Sequence, residues 1–201
     1  MERFPVRTHA EGAVLVREDQ LAWRLACMAA SNQELDDDVC EMIGNRLIDN
    51  AAVAIAAINR HPVRNARLLA LGYSYPARGA CLFGLPSDAR FHCEWAALAN
   101  GVAVRELDMH DCYLAADYSH PGDNIPGVLA AAQQRRCDGA ALTRGLLTSY
   151  EIQMALVSGI CLHEHKIDHV AHLAPGVAAG VAAGFGLRPE ARRRRRRRRR
   201  R

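Results

Sequence analysis

Residues 36–58, DDDVCEMIGNRLIDNAAVAIAAI, set Val39, Ile43, Leu47, Ala51, Ile55 and Ile58 three or four positions apart. An α-helix gathers that spacing on one broad apolar face, whereas a half-buried strand needs strict alternation. A stretch this long must pack its face against other elements. Half of the chain is apolar but only 5% is aromatic, so those elements meet through Ala, Leu, Val and Ile. Small side chains let helices approach closely, and the expected class is all-α.

The rest of the sequence divides in the same way. Residues 19–30 place Leu21, Leu25 and Met28 at helical spacing, ended by Ser31-Asn32. Asp36–Asp38 supply acidic N-cap candidates for the long helix, which Arg60-His61-Pro62 stops. Further helices are predicted over 63–70, 91–106 (burying Trp95, Leu98 and Val102 or Val104) and 126–136. Asp138 is read as the cap of another over 140–159, and a last one ends near 187–189. Residues 71–90 carry three glycines, two prolines and the apolar run ACLFGL, which predicts loop around a short extended segment near 80–85. Residues 1–17 read as an irregular arm and 18–189 as one helical domain.

Charge separates the last residues from the rest. Arg192–Arg201 is an unbroken run of ten arginines; removing it leaves 16 basic side chains against 22 acidic ones. The body is therefore acidic, and the tail alone makes the chain basic. Ten adjacent like charges repel one another, so 190–201 is expected to be disordered. The tail is either an anchor for nucleic acid or an artefact of a GC-rich reading frame. The second is preferred, because the body shows no need for such an anchor.

The seven cysteines are scattered without a CxxC, which excludes a disulfide framework and the common zinc and iron–sulfur spacings. Reduced thiols, no apolar signal core at the N-terminus and no convincing membrane span point to a cytoplasmic protein. No P-loop, GxGxxG or serine elbow occurs, and no cofactor is expected.

Chemistry concentrates at 107–124, LDMHDCYLAADYSHPGDN, which sets four carboxylates, two histidines and a cysteine between apolar, Ala-rich segments. Polar groups that dense are costly to bury unless paired, and a loop held by rigid helices is where chemistry tends to sit. Pro121 restricts His120, and Gly122 permits close approach of a ligand. A second cluster, His163, Glu164, His165, Lys166, Asp168, His169 and His172, has His165 and His169 four apart. It reads as a substrate pocket, a metal site or a structural polar patch. HEHKIDH is not HExxH, since Ile167 stands where the second histidine belongs, and no metal is assigned.

The 107–124 stretch resembles the signature loop of the MmgE/PrpD family, most closely its 2-methylcitrate dehydratase branch. Residues 36–58, 91–111 and 150–172 resemble that branch as well. The resemblance implies a mainly helical N-terminal domain. It also implies a cofactor-independent hydro-lyase of propionate catabolism, dehydrating 2-methylcitrate to 2-methylaconitate by acid/base chemistry. His120 matches the family's active-site histidine, Asp108 the aspartate that opens its loop, and His169 its second histidine; these are the expected catalytic residues. Asp111, Cys112, Asn124 and Lys166 are expected on the substrate, with Cys112 standing where the family commonly has threonine. Family members are longer and add a catalytic lysine, so a truncated chain of low activity is expected. The expected partners are a tricarboxylate and, in the full-length family, a second copy. Other polycarboxylate chemistry of the family, such as cis-aconitate decarboxylation or an epimerisation, is the first alternative. A helical nucleic-acid-binding module is the second.

Overall fold

The computed structural model describes residues 7–31 and 34–189. The expectations for the first six residues of the arm and for the arginine tail fall outside that range. Seven α-helices make up most of the described chain: α1 (Leu21–Ala29), α2 (Asp37–Ala56), α3 (His61–Leu71), α4 (Cys93–Arg105), α5 (Asn124–Arg135), α6 (Gly139–Gly159) and α7 (Leu173–Gly184). The protein is mainly helical, as its apolar periodicity predicts. No helix among the described residues is long and apolar enough to cross a membrane.

Helix ends fall where local chemistry puts them. The Asp138 side chain accepts from the Ala141 N–H at 2.8 Å and caps α6. Pro62 sits in the first turn of α3, where its missing N–H costs nothing, so the helix starts at His61 and not after it. Arg17 lays its guanidinium 3.8 Å over the Trp23 ring and donates to the Pro189 carbonyl, tying the entering chain to the far end of the domain.

Among the described residues, twelve of the 24 buried apolar side chains are alanines, so the helices meet nearly backbone to backbone. The contact of α6 with α7 is the tightest: a Cβ built on Gly180 would stand 2.5 Å from the Gly145 carbonyl oxygen. One core cluster joins α2, α5 and α6 through Ile43, Ile125, Val128 and Leu146. Another joins α2, α3 and α4 through Ala54, Ala57, Val63, Ala103 and Val104. The faces are turned slightly from expectation. Ile55 and Leu98 are 44% and 45% exposed, while Asn50 and Asn100, with their alanine neighbours, hold the buried positions. Alanines carry too weak a signal to outvote Ile and Leu in a periodicity count.

The 80–85 segment is not a strand; it makes a single bridge from Ala80 to Phe91. Side-chain amides stand in for the missing strand partner. Asn100 donates to the Cys81 carbonyl and accepts from the Phe83 N–H, and Gln133 accepts from the Cys81 N–H. A buried backbone must be paired, and here helices α4 and α5 supply the partners.

Candidate active site

The 107–124 stretch folds as a small hairpin between α4 and α5. Strands β1 (Tyr113–Leu114) and β2 (Tyr118–Ser119) pair antiparallel, and a 3-10 turn over Pro121–Asp123 leads into α5. Its carboxylates fix its shape. Asp111 accepts from the Gly122 N–H at 2.6 Å and from the Tyr150 hydroxyl at 2.8 Å, with Arg46 3.9 Å away. Burial and the adjacent Asp111 charge push the Tyr150 phenol well above its ordinary range, so it remains a donor. Asp117 accepts from the Tyr118 and Leu162 N–H groups and from His163 Nδ1 at 2.7 Å. Burial raises the Asp117 carboxyl, and the His163 ring with the two N–H groups outweighs it, holding the group at about 2. Through Asp117, the hairpin is tied to the 161–172 segment.

That tie brings the histidines together. The His120 ring lies 4.9 Å from His110 and 5.9 Å from His169, centroid to centroid. Tyr118 stacks between the two segments, 4.9 Å from His163 and 4.5 Å from His169. His120 Nδ1 is 2.9 Å from the Asp111 carbonyl oxygen. A carbonyl only accepts, so Nδ1 carries the proton and Nε2 presents a lone pair. Asp108 Oδ1 stands 3.7 Å from that Nε2 and 2.6 Å from Arg105 Nη1. The Asp108 backbone is left-handed, at φ 53°, which sets this carboxylate beside the ring.

His169 is buried and its ring nitrogens make no hydrogen bond, although Asp168 Oδ1 comes within 3.3 Å of Nδ1. Burial lowers its pKa, and the Asp168 charge opposes that only in part. His172, buried beside it, is lowered for the same reason.

The structure thus brings Asp108, His120 and His169 to one place, with Asp111 and Cys112 at its edge. Asp111 is fully engaged in holding the turn. Cys112 and Lys166 are exposed. Asn124 sits elsewhere: it is 0% exposed and donates inward to Pro121 and Gln153, which makes it an anchor of the loop. Sequence reasoning missed Arg105, His110, Asn50 and Gln153. Asn50 donates from α2 to the Gly122 carbonyl at 3.0 Å, and Gln153 donates from α6 to Ser119 Oγ. Buried amides within apolar helices are the signal that marks such anchors.

A mainly helical scaffold thus presents paired histidines and a carboxylate from a braced hairpin. The profile of the MmgE/PrpD N-terminal domain matches residues 20–193, and the chain belongs to that family. Among curated relatives, it is 34% identical over 101 residues to the mitochondrial 2-methylcitrate dehydratase of Yarrowia lipolytica, covering 45% of this chain and 19% of that protein. It is 31% identical over 105 residues to the 2-methylcitrate dehydratase of Escherichia coli K12, covering 47% and 22%. The match to the probable 2-methylcitrate dehydratase of Saccharomyces cerevisiae is 30% over 107 residues, covering 47% and 21%. The aligned region is thus about a fifth of the length of these relatives.

Proposed function

We propose that this chain contributes His120, Asp108 and His169 to a hydro-lyase site that dehydrates 2-methylcitrate. The observation that carries this reading is the His120 Nε2 lone pair, aimed beside Asp108 and next to a buried second histidine.

Dehydration needs a base for the proton on the carbon next to a carboxylate and an acid for the departing hydroxyl. His120 takes the proton at Nε2. The imidazolium that forms faces Asp108, while the Asp111 carbonyl keeps the ring oriented through Nδ1–H. Burial keeps His169 neutral on its own, and the substrate carboxylates arriving beside it favour its protonated form. That form delivers its proton to the hydroxyl, which leaves as water. The electron pair of the broken C–H bond becomes the new double bond. Arg105, Cys112 and Lys166 are the groups left to meet substrate carboxylates. Asp111 and Asn124 support the loop from behind. The same reading carries a cytoplasmic location for this chain and pairing with a second copy.

Titrating the chain with 2-methylcitrate while recording imidazole NMR signals tests it. Saturable shifts at His120 and His169, with His9 and His61 unmoved, are expected. Absence of any shift at His120 would overturn the assignment. Product analysis with 2-methylcitrate, cis-aconitate and citrate distinguishes dehydration from decarboxylation and epimerisation.

A further inference from the structure

His110 is unused by the hydro-lyase reading, yet its surroundings are specific. Its side chain is 0% exposed, and Nε2 lies 2.8 Å from Asp123 Oδ1. A carboxylate accepts, so Nε2 carries the proton and Nδ1 the lone pair. That Nδ1 is buried and has no hydrogen-bond partner. An orphaned buried acceptor is costly unless something occupies it. Beside it, His120 donates Nδ1–H to a backbone carbonyl and leaves Nε2 open, with Asp108 Oδ1 3.7 Å away. One ligand atom from each of Asp108, His110 and His120 falls within 4.8 Å of the others.

We propose that Asp108, His110 and His120 form a three-ligand site for a divalent transition-metal ion of the zinc or cobalt class. Metal-bound histidines almost always donate their second ring N–H to a carboxylate or a backbone carbonyl. His110 does so to Asp123 and His120 to Asp111, and each arrangement leaves the opposite nitrogen free. Two imidazoles and one carboxylate suit zinc, cobalt or iron better than magnesium or calcium, which take oxygen ligands. Ligand atoms on a tetrahedral zinc ion stand about 3.3 Å apart, so the three groups must close by up to about 1.5 Å around it. Asp108 is exposed at the mouth and supplies part of that movement, and the histidine rings the rest. The sequence reading weighed a metal at the 163–169 cluster and assigned none; the proposed site lies instead on Asp108, His110 and His120.

The site stands apart from the hydro-lyase reading, but one consequence rests on it. A bound ion occupies the lone pair that reading gives to the base, so metal and proton compete for His120 and the ion inhibits dehydration.

The test is Co2+ added to the chelator-treated chain, without substrate. Saturation at one equivalent is expected, with paramagnetic broadening first at the His110 and His120 ring signals. Asp108→Ala, at an exposed position, should weaken binding, and circular dichroism checks that the variant keeps its helices despite the left-handed backbone there. Asp123→Asn should weaken it about 10- to 100-fold through its bond to His110. Broadening that begins at His163 and His169, a thiolate charge-transfer band from the cysteines, or unchanged affinity in Asp108→Ala would each overturn the proposal. Shifts at His120 when the metal-free chain meets 2-methylcitrate report on the hydro-lyase reading separately. Either result can fail without the other.

Discussion

The side-chain amide of Asn124 donates to that of Gln153 where both residues are shut off from water. Gln153 passes the connection on to Ser119 Oγ at 2.5 Å, so one chain of hydrogen bonds runs from the start of α5, through α6, to strand β2. It fixes the hairpin to the helices behind it, and with it the position of His120. Gln153→Leu keeps the volume and leaves two buried partners unmet. Each unmet group costs about 1–3 kcal/mol, and a total loss of roughly 2–4 kcal/mol is expected. Urea unfolding followed by circular dichroism would read it as a fall in midpoint at unchanged slope.

Acid sensitivity should trace to Asp117. Its carboxyl sits at about 2 in the folded protein, below its ordinary value of 3.8. A depressed pKa means the folded state holds the charged form more firmly than the unfolded chain does. The stability it contributes is complete above pH 4 and disappears as pH falls from about 4 to 2. Asp117→Asn should therefore be less stable at neutral pH, with a flatter dependence on pH across that window. Equilibrium denaturation in a series of buffers measures both. An unchanged pH slope would exclude Asp117 as the source.

His172 adds to the same acid sensitivity, in a higher pH range. Burial lowers its pKa below 6.5, so the unfolded chain binds the proton more readily. Stability is intact above pH 6.5 and is lost as the pH drops below it. Both ring nitrogens are buried without hydrogen-bond partners. His172→Leu removes the proton-binding group along with the unmet polar atoms. The variant should gain stability relative to the parent between pH 6 and 5, with a smaller difference at pH 8.

How far these relationships could be read in advance depended on which physical signal carried them. Asp138 announced the start of α6, because an acid before an apolar run has one favourable use there. The long face of α2 was legible as a face but not in its rotation: Ile55 is exposed, while Asn50 and Ala57 are buried. His120 and Asp108 were legible from one motif. His169 lies 49 residues further on in a second polar cluster, and only the family resemblance joined it to His120. The hairpin went unseen because strands of two residues have no periodicity to detect. His110 and Arg105 were passed over because a histidine or arginine gains meaning only from what stands beside it, and those neighbours come from other segments.

Glycine substitutions should separate the close helix contact from ordinary helix propensity. A Cβ on Gly180 meets the Gly145 carbonyl oxygen at 2.5 Å and Ser149 Cβ at 2.7 Å, atoms held by the backbone of α6. Gly180→Ala must force α7 away and should cost about 3 kcal/mol. Gly44, within α2, has nothing within 4 Å of its built Cβ. Gly44→Ala should raise stability by about 0.5–1 kcal/mol, because alanine has less freedom to lose on folding. Thermal melts of the two variants should move in opposite directions. If both fell, the open surface at Gly44 would be wrong.

Arg105 gives the sharpest separation of binding from scaffolding. It ends α4, remains 39% exposed, and pairs at 2.6 Å with an Asp108 carboxylate that is itself 64% exposed. An exposed pair of this kind adds little to stability, so Arg105→Gln should leave the unfolding midpoint almost unchanged. The same guanidinium stands beside the His120 ring through Asp108, where an arriving tricarboxylate would compete with Asp108 for it. A charge-assisted hydrogen bond to a carboxylate contributes roughly 1.5–3 kcal/mol, so the variant should bind 2-methylcitrate about tenfold more weakly or worse. Arg105→Lys keeps the charge but loses the planar two-donor fork, and should recover only part of the affinity. Calorimetric titration of the three proteins decides the matter. Equal affinities would remove Arg105 from the substrate's surroundings, whereas the graded order Arg, Lys, Gln would place a carboxylate of the ligand against it.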